Sequence, residues 1–218
     1  MKKIGLFIIA ICFVFASFSP AQAVMQTLSP YNGNYMAYVG TLEDGLSEPL
    51  GNDVYDNYIS QTVTDASTIS LYYNFFTWDY EYYDEPGFVI DIDGTEVLSY
   101  DAADIDYTEV WLDSTGWTYF SYAVDPQESH TLTIYAGNTG DESVQSFVFI
   151  DLVLNGFVNG GFETGDLTGW TSAGDAGVLG SFDYDPEGDY GAVPIPAAVW
   201  LLGSGLLGLV GLRKKFSA

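Results

Sequence analysis

Short runs of aromatic and β-branched residues, separated by clusters of Gly, Asp, Asn and Pro, fill residues 24–192 of this 218-residue chain. Such runs favour β-strands, and their spacing is typical of two antiparallel sheets packed face to face. No part of residues 24–192 shows the sustained periodicity of about 3.6 residues that marks an amphipathic helix. The pattern therefore predicts an all-β sandwich.

Alternation of apolar and polar residues gives several of the predicted strands one buried face. Apolar side chains at every second position of residues 88–92 predict one such strand. The same alternation places Val148, Ile150, Leu152 and Leu154 on one face of a later strand. The predicted strands span residues 34–40, 58–64, 68–78, 87–92, 95–100, 117–124, 131–136, 145–154 and 177–184.

The first 23 residues have the three parts of a secretory signal peptide. Lys2 and Lys3 form a basic start, an apolar run follows, and Ala21 and Ala23 are the small residues of a cleavage site. We therefore predict export and cleavage after Ala23. The single cysteine, Cys12, lies in this segment, so the exported chain has no disulfide bond.

The other end of the chain, residues 193–218, has the parts of a membrane-targeting segment. Residues 193–212 carry no charge and would measure about 30 Å as a helix, which is the thickness of the hydrocarbon core. The basic cluster that follows would stay in the cytoplasm under the positive-inside rule. We therefore predict a C-terminal transmembrane helix, with residues 24–192 outside as one domain. The segment begins with Val193, Pro194, Ile195 and Pro196 and ends with Arg213, Lys214 and Lys215.

This tail resembles the VPLPA-type PEP-CTERM sorting signals of Gram-negative bacteria. They share the Pro-x-Pro motif, the short helix punctuated by glycines and the closing basic cluster. The resemblance implies that an exosortase-type membrane protease recognises the tail. The protein would be anchored in the inner membrane at first and then released to the cell surface or the extracellular matrix. A plain single-span anchor is the alternative.

Charge is distributed unevenly along the chain. All 30 Asp and Glu residues lie in residues 24–192, whereas the 5 Lys and Arg residues lie in the two terminal segments. A side-chain charge of about −30 in the domain between them excludes nucleic acid and anionic lipid as partners. Bound cations would relieve the self-repulsion, and calcium is the natural candidate outside cells. The alternative is an acidic surface that is solvated without a specific metal site.

Residues 159–170, with the sequence NGGFETGDLTGW, resemble the opening motif of jelly-roll ectodomains found on PEP-CTERM proteins. Those domains are similar in turn to jelly-roll carbohydrate-binding modules, and the resemblance implies an antiparallel jelly-roll-type β-sandwich. In the family this motif comes first, but here the Ile-Asp-x-Val closing strand, within residues 149–153, precedes it. Residues 30–37 also echo residues 186–192. We therefore predict a circular permutation; a second domain copy cut short by the anchor is the alternative.

The same resemblance implies a structural calcium ion between the glutamate of the opening motif and the aspartate of the closing strand. In this chain those residues are Glu163 and Asp151. Carboxylates from two adjacent strands, together with backbone carbonyl groups, supply the oxygen ligands that calcium prefers. In the alternative, Glu163 caps a turn and Asp151 is hydrogen-bonded at the end of a strand, without a metal.

Aromatic residues are densest in residues 72–84. If the strand stays extended there, Trp78, Tyr80 and Tyr82 share one face, and Tyr83 follows them. Flat rings stack on the apolar faces of sugars, and neighbouring carboxylates accept hydrogen bonds from the hydroxyl groups. These four residues are therefore a predicted carbohydrate-binding surface; packing in the core or against neighbouring strands is the alternative. Core or cross-strand packing is expected for the other rings, among them Tyr72, Trp117 and Trp170.

The sequence offers little for catalysis. The one histidine, His130, has no nucleophile motif nearby and is expected at the surface or in a turn. We therefore predict a non-catalytic surface or matrix protein that associates with extracellular polysaccharide in a biofilm. One alternative is an acidic structural protein without glycan recognition. Another is a glycoside hydrolase, which needs only two carboxylates at the right separation.

Overall fold

The residues that the computed structural model describes all fall within Met25–Gly188. The predicted signal peptide (1–23) and the predicted sorting tail (193–218) lie outside the described residues. Where the structure is described, no helix has the length and hydropathy to cross a membrane. The described residues are 25–42, 54–78, 86–105, 112–138 and 145–185.

Regular structure in these ranges consists of strands and two short 3-10 turns, at Val54–Asp56 and Ala102–Asp104. The all-β prediction is therefore confirmed. The strands are β1 (Gln26–Leu28), β2 (Met36–Val39), β3 (Tyr58–Thr64), β4 (Thr68–Thr77), β5 (Phe88–Ile92), β6 (Thr95–Tyr100), β7 (Asp113–Ser114), β8 (Thr118–Ala123), β9 (Ser129–Ala136), β10 (Ser146–Leu154), β11 (Thr171–Ala173), β12 (Ala176–Leu179) and β13 (Phe182–Tyr184).

The strands form two large sheets and one small one. In the six-stranded sheet the order is β12-β2-β10-β4, and the other edge of β4 pairs first with β8 and then with β7. The five-stranded sheet has the order β11-β3-β9-β5-β6, and β1 pairs with β13. Each of these pairings is antiparallel, as the sequence predicts.

The predicted strands at 58–64 and 95–100 have the observed bounds at both ends. The predicted strand at 177–184 is divided, because β12 pairs with β2 whereas β13 pairs with β1. The sequence does not predict β1, β7 or β11, since each has only two or three residues. Such short segments cannot repeat an alternating pattern.

The two large sheets face each other across an inner core of apolar side chains. From the six-stranded sheet, β4 contributes Ile69, Leu71 and Phe75, and from the five-stranded sheet β9 contributes Leu132 and Ile134. All five are fully buried. Burial of a large apolar side chain stabilises a fold by about 1.5–3 kcal/mol, so this core is the main source of stability.

The outer face of the six-stranded sheet is also buried over part of its area. Phe76, Phe147 and Phe149 lie on this face and pack on one another. Phe182 and Tyr184 of β13 cover them. We call these five residues the outer cluster. Because apolar groups cover both faces of β4 and β10, these strands read as near-continuous apolar runs.

The alternation predicted for β5 holds only in part. Phe88, Ile90 and Ile92 are buried in the inner core as expected, but Val89 is only 1% exposed as well. Val89 lies directly opposite Tyr135 of β9, on the other face of the sheet. A large ring beside it on that face shields it from water, so β5 is buried on both sides there.

The alternation predicted for β10 ends at Ile150. The β10–β4 register shifts between Asp151 and Leu154, and Leu152 has a φ of 52°. Val153 takes the buried position, Leu152 is half-buried and Leu154 is exposed. The prediction that Leu152 and Leu154 share the buried face is therefore wrong. A β-bulge inserts one residue and moves the following side chains to the opposite face.

The last described strands lie beside the first ones. β12 is the edge strand next to β2, β11 is the edge strand next to β3, and β13 pairs with β1. The opening motif lies between β10 and β11, so strands that follow the motif complete both large sheets. This agrees with one domain whose final segment fills positions beside its first segment. The circular permutation itself stays a prediction.

Candidate functional site

Three side chains from neighbouring strands lie in a row across the outer face of the six-stranded sheet. Tyr72 of β4 pairs with Tyr119 of β8 on one side and with Asp151 of β10 on the other. Side chains directly opposite each other in antiparallel strands have Cβ atoms about 5 Å apart. The loop that leads into β2 crosses this part of the sheet, and the Tyr31 ring in that loop stacks on Tyr72.

The carboxylate of Asp151 is fully buried beneath this loop. Its Oδ2 accepts a hydrogen bond of 2.7 Å from the Asn32 N–H, and its Oδ1 accepts one of 2.6 Å from the Leu152 N–H. The Tyr31 N–H is a further donor. Burial raises the pKa of Asp151 to about 6, and the negative charge of Glu163 also raises it. The three N–H donors lower this pKa but do not offset burial. The loop therefore lies over an acid that holds its proton under weakly acidic conditions.

Glu163 holds the other end of the same loop. Its Oε1 accepts hydrogen bonds from the N–H groups of Asn34 (2.9 Å) and Tyr35 (3.2 Å), and its Oε2 accepts one of 3.0 Å from the Asn34 side chain. The hydrogen bonds from Asn34 hold the pKa of Glu163 below its usual value. The loop turns at Gly33, whose φ is 79° and where a Cβ atom would collide with the Glu163 carboxylate. We call Asp151, Glu163 and residues 31–35 the loop clamp.

Tight turns in the opening motif present Glu163 to the loop. The Phe162 N–H donates to the Asn159 carbonyl (3.1 Å), and the Gly165 N–H donates to the Phe162 carbonyl (2.9 Å). Asn159 and Phe162 have positive φ angles of 51° and 56°. Phe162 and Trp170 are buried in the inner core, as expected for Trp170, and their rings pack together. The motif is thus anchored by its aromatic residues, while the next residue, Glu163, faces the loop.

Four aromatic rings form a partly exposed surface beside the loop clamp. The ring centroids of Tyr31 and Tyr72 are 3.6 Å apart with an interplanar angle of 15°, and Trp117 meets Tyr31 edge-on at 6.0 Å. Tyr119 lies 5.1 Å from Tyr72. Tyr31 is 44% exposed and Tyr119 is 53% exposed. The Trp117 Nε1–H donates to the Ser29 carbonyl at 3.2 Å, which fixes this ring. We call Tyr31, Tyr72, Trp117 and Tyr119 the aromatic row.

Asn74 places an unpaired polar atom on the same face of the sheet. It follows Tyr72 by two residues on β4, so both side chains are on the outer face, and Phe149 of β10 lies opposite it. Asn74 is 2% exposed, and its side-chain oxygen has no hydrogen-bond partner in the described structure. An unpaired buried polar group costs about 1–3 kcal/mol. A hydrogen-bond donor at this oxygen would therefore be favourable.

Among the predicted site residues, Asp151 and Glu163 both accept hydrogen bonds from the loop that leads into β2. Trp78, which directly follows β4, is half-buried and packs against apolar residues of the outer face. The backbone N–H of Trp78 donates to the Gln145 carbonyl at 3.0 Å. The carbohydrate-binding surface predicted around Trp78 stays a prediction, because its other three members lie outside the described residues. Those members are Tyr80, Tyr82 and Tyr83.

His130 does not lie at the surface as expected, since it is only 5% exposed. Its Nδ1 is 2.7 Å from the Asp93 carboxylate, and its Nε2 is 2.8 Å from the Asp125 carbonyl oxygen. Both partners are acceptors, so a ring with both nitrogens protonated satisfies them. The hydrogen bond with Asp93 accordingly raises the pKa of His130. This arrangement joins β9 to the turn between β5 and β6 and favours a structural role.

No member of the aromatic row belongs to the carbohydrate-binding surface predicted from the sequence, which assigns Tyr72 to core or cross-strand packing. The exposure of Tyr119 follows from strand alternation, because the next residue, Phe120, is buried in the inner core. Trp117, expected in the core, is only partly buried. The stacking of Tyr31 on Tyr72 has no local signal in the sequence, since side chains distant in the chain hold the loop.

No protein-family model matches this chain, and no curated protein matches it. Among solved structures, the chain is similar to a family 35 carbohydrate-binding module from an environmental isolate, with a TM-score of 0.28 and 9% identity. The match covers 69% of this chain and 98% of that chain. A TM-score this low carries no argument about function. The strands and the site themselves define the class of protein: an all-β sandwich with aromatic rings beside a loop held by two carboxylates.

Proposed function

We propose that this protein is an exported, non-catalytic surface or matrix protein that associates with extracellular polysaccharide through the aromatic row. The observation that carries the proposal is the exposure of Tyr31 and Tyr119, whose rings both contact Tyr72. Aromatic faces bind the apolar faces of sugar rings. Asp151 and Glu163 hold the backbone at the two ends of the loop, so sugar binding does not have to order Tyr31.

Tyr119→Ala is expected to abolish most of the retardation of the protein in affinity gels that contain the exopolysaccharide of the organism that produces it. Loss of one stacking ring costs about 1 kcal/mol, which is about a fivefold loss of affinity. The matched control is Tyr55→Ala, because Tyr55 is 52% exposed but lies in the 3-10 turn before β3. Trp78→Ala in the same gels tests the surface predicted from the sequence.

Uniform mobility of the wild-type protein in every gel would contradict polysaccharide association. The acidic structural protein is then the better account, because its role needs only the 30 acidic residues. Release of reducing sugar from the gel polysaccharide would indicate a glycoside hydrolase instead. The engagement of both ring nitrogens of His130 supports the non-catalytic proposal, since the ring has no free nitrogen to serve as a base.

The route to the cell surface is part of the proposal and rests on the two terminal segments of the sequence. The signal peptide would direct export, and residues 193–218 would anchor the protein in the inner membrane until an exosortase-type protease removes the tail. The intact mass of the protein recovered from the cell surface tests this route. Cleavage after Ala23 together with loss of Arg213, Lys214 and Lys215 is the expected result, and a complete tail would indicate a plain anchor.

Calcium at the loop clamp is a further part of the proposal. Asp151 and Glu163 carry carboxylates that interact electrostatically, and a divalent cation would relieve their repulsion. Within the described ranges, no three Asp, Glu, His or Cys side chains group closely enough to hold a metal ion. The carboxylate oxygens also accept hydrogen bonds from the loop. An ion would therefore need carbonyl ligands from the loop and would replace some of these hydrogen bonds.

If calcium binds there, the wild-type protein is expected to melt at a higher temperature with calcium than with a chelator. Glu163→Ala should abolish this rise, because it removes one of the two carboxylates. Asp166→Asn is the control, since the Asp166 carboxylate accepts hydrogen bonds from Thr164 and Thr168 and not from the loop. An undiminished rise in Glu163→Ala would remove Glu163 from the site, and no rise in the wild type would leave the clamp metal-free.

A further inference from the structure

We infer that the ligand of the aromatic row is an amino-sugar polymer that carries primary ammonium groups. This inference rests on the proposed function and narrows it from polysaccharide in general to one chemical class. Two independent observations carry it: the absence of any accessible side-chain cation in residues 24–192, and the composition of the surface around Tyr72.

The charge of the domain selects against anionic glycans. Residues 24–192 contain all 30 Asp and Glu residues and no Lys or Arg. The one remaining side chain that could be cationic, His130, is 5% exposed and bound to Asp93 and the Asp125 carbonyl. The domain therefore offers no side-chain cation to a carboxylate or sulfate on a sugar. The same charge attracts a polymer with ammonium groups and raises its local concentration.

The chemistry of the aromatic row suits an ammonium group on a sugar ring. Cations bind over the faces of Tyr and Trp rings, and this attraction raises affinity about twofold to fivefold at exposed sites. Because the domain has no Lys or Arg, no such side chain competes for the rings of Tyr31, Trp117 and Tyr119. An ammonium group has three donors and no acceptor, so it can also pair with the carboxylates of this acidic domain.

Binding of short oligosaccharides to the full-length chain, held in a detergent without sugar head groups, tests the inference. The probes are oligomers of glucosamine and of N-acetylglucosamine of equal length, and an oligomer containing glucuronic acid. At low ionic strength and weakly acidic pH, we expect the glucosamine oligomer to bind about tenfold more tightly than its acetylated counterpart. The preference should fall at high salt and at a pH where the amines are neutral.

Three variants locate the preference on the protein. Tyr119→Ala should reduce the preference severalfold, Tyr119→Phe should retain it because the ring remains, and Tyr55→Ala should leave it unchanged. Thermal melting of each variant confirms that it is folded, which is expected because Tyr119 and Tyr55 are both more than half exposed.

Other outcomes would overturn the inference in distinguishable ways. Equal binding of both hexosamine oligomers, weakened by Tyr119→Ala, would reject the ammonium group and retain the polysaccharide function. A glucosamine preference that Tyr119→Ala leaves unchanged would show that diffuse charge causes it and would reject the site. Tighter binding of the glucuronic acid oligomer, dependent on calcium, would reject the ligand class. Absence of binding to all three oligomers and to the polysaccharide of the host would reject the proposed function as well.

Discussion

Asp151→Ala is expected to lower the free energy of unfolding by about 3 kcal/mol. The substitution leaves the backbone N–H groups of Tyr31, Asn32 and Leu152 without their acceptor beneath the loop. Each unpaired donor that stays buried costs about 1–3 kcal/mol, and the loop avoids part of this cost by moving toward water. Chemical denaturation of the wild type and the variant measures the difference.

Asp56→Asn is the control for the loss of one negative charge, since Asp56 is exposed in the 3-10 turn before β3. A surface change of this kind is expected to stay within about 0.5 kcal/mol of the wild type. An Asp151→Ala variant as stable as Asp56→Asn would contradict the loop clamp. The loss of retardation expected for Tyr119→Ala should also occur in Asp151→Ala, because release of the loop removes Tyr31 from Tyr72.

The pH dependence of Asp151→Asn follows from the raised pKa of the wild-type acid. The folded-state pKa is about 6 and the ordinary value is 3.8, so the folded state binds the proton more tightly than the unfolded state. The stabilisation from this proton is therefore complete below pH 3.8 and is lost as the pH rises through about 6. The free energy of unfolding of the wild type, relative to that of Asp151→Asn, should therefore fall over this interval and stay constant above it. A difference that grows with pH would mean that the N–H donors outweigh burial.

Phe76→Ala is expected to lower the free energy of unfolding by about 4 kcal/mol. Phe76 is fully buried and its ring contacts Phe147, Phe149, Phe182 and Tyr184. Its removal leaves a cavity between the six-stranded sheet and β13. Denaturation curves measure this loss. It is as large as that of a residue between the two large sheets, because the Phe76 side chain is fully enclosed.

Phe182→Ala tests whether β13 closes that cluster. Phe182 is half-buried and packs against Phe147 and Phe149. Its removal is expected to lower the free energy of unfolding by about 2 kcal/mol, less than Phe76→Ala because water already reaches part of the ring.

A Phe76→Ala variant whose free energy of unfolding falls by less than about 1 kcal/mol would mean that the outer face is solvated, as a simple one-face alternation predicts.

Local patterning predicts the strands well because a long strand repeats its side-chain alternation several times. The strands at 58–64 and 95–100 have their predicted bounds for this reason. The bulge at Leu152 could not be predicted, since the register shift depends on pairing with β4 and on the Asp151 carboxylate. The second buried face of β4 and β10 was equally hidden, because the strands that cover it are three residues long.

By itself, the sequence determined the all-β class and the strong negative charge of the domain. These follow from residue types and short-range periodicity, which do not depend on distant contacts. The pairing of Asp151 with Glu163 as one unit came from resemblance to a family motif, and the structure joins them through a loop. Only the tertiary structure decided that this loop carries Tyr31 onto Tyr72, which forms the aromatic row. Asn34 and Glu163 are 129 residues apart in the chain, so their contact depends on how the sheets close.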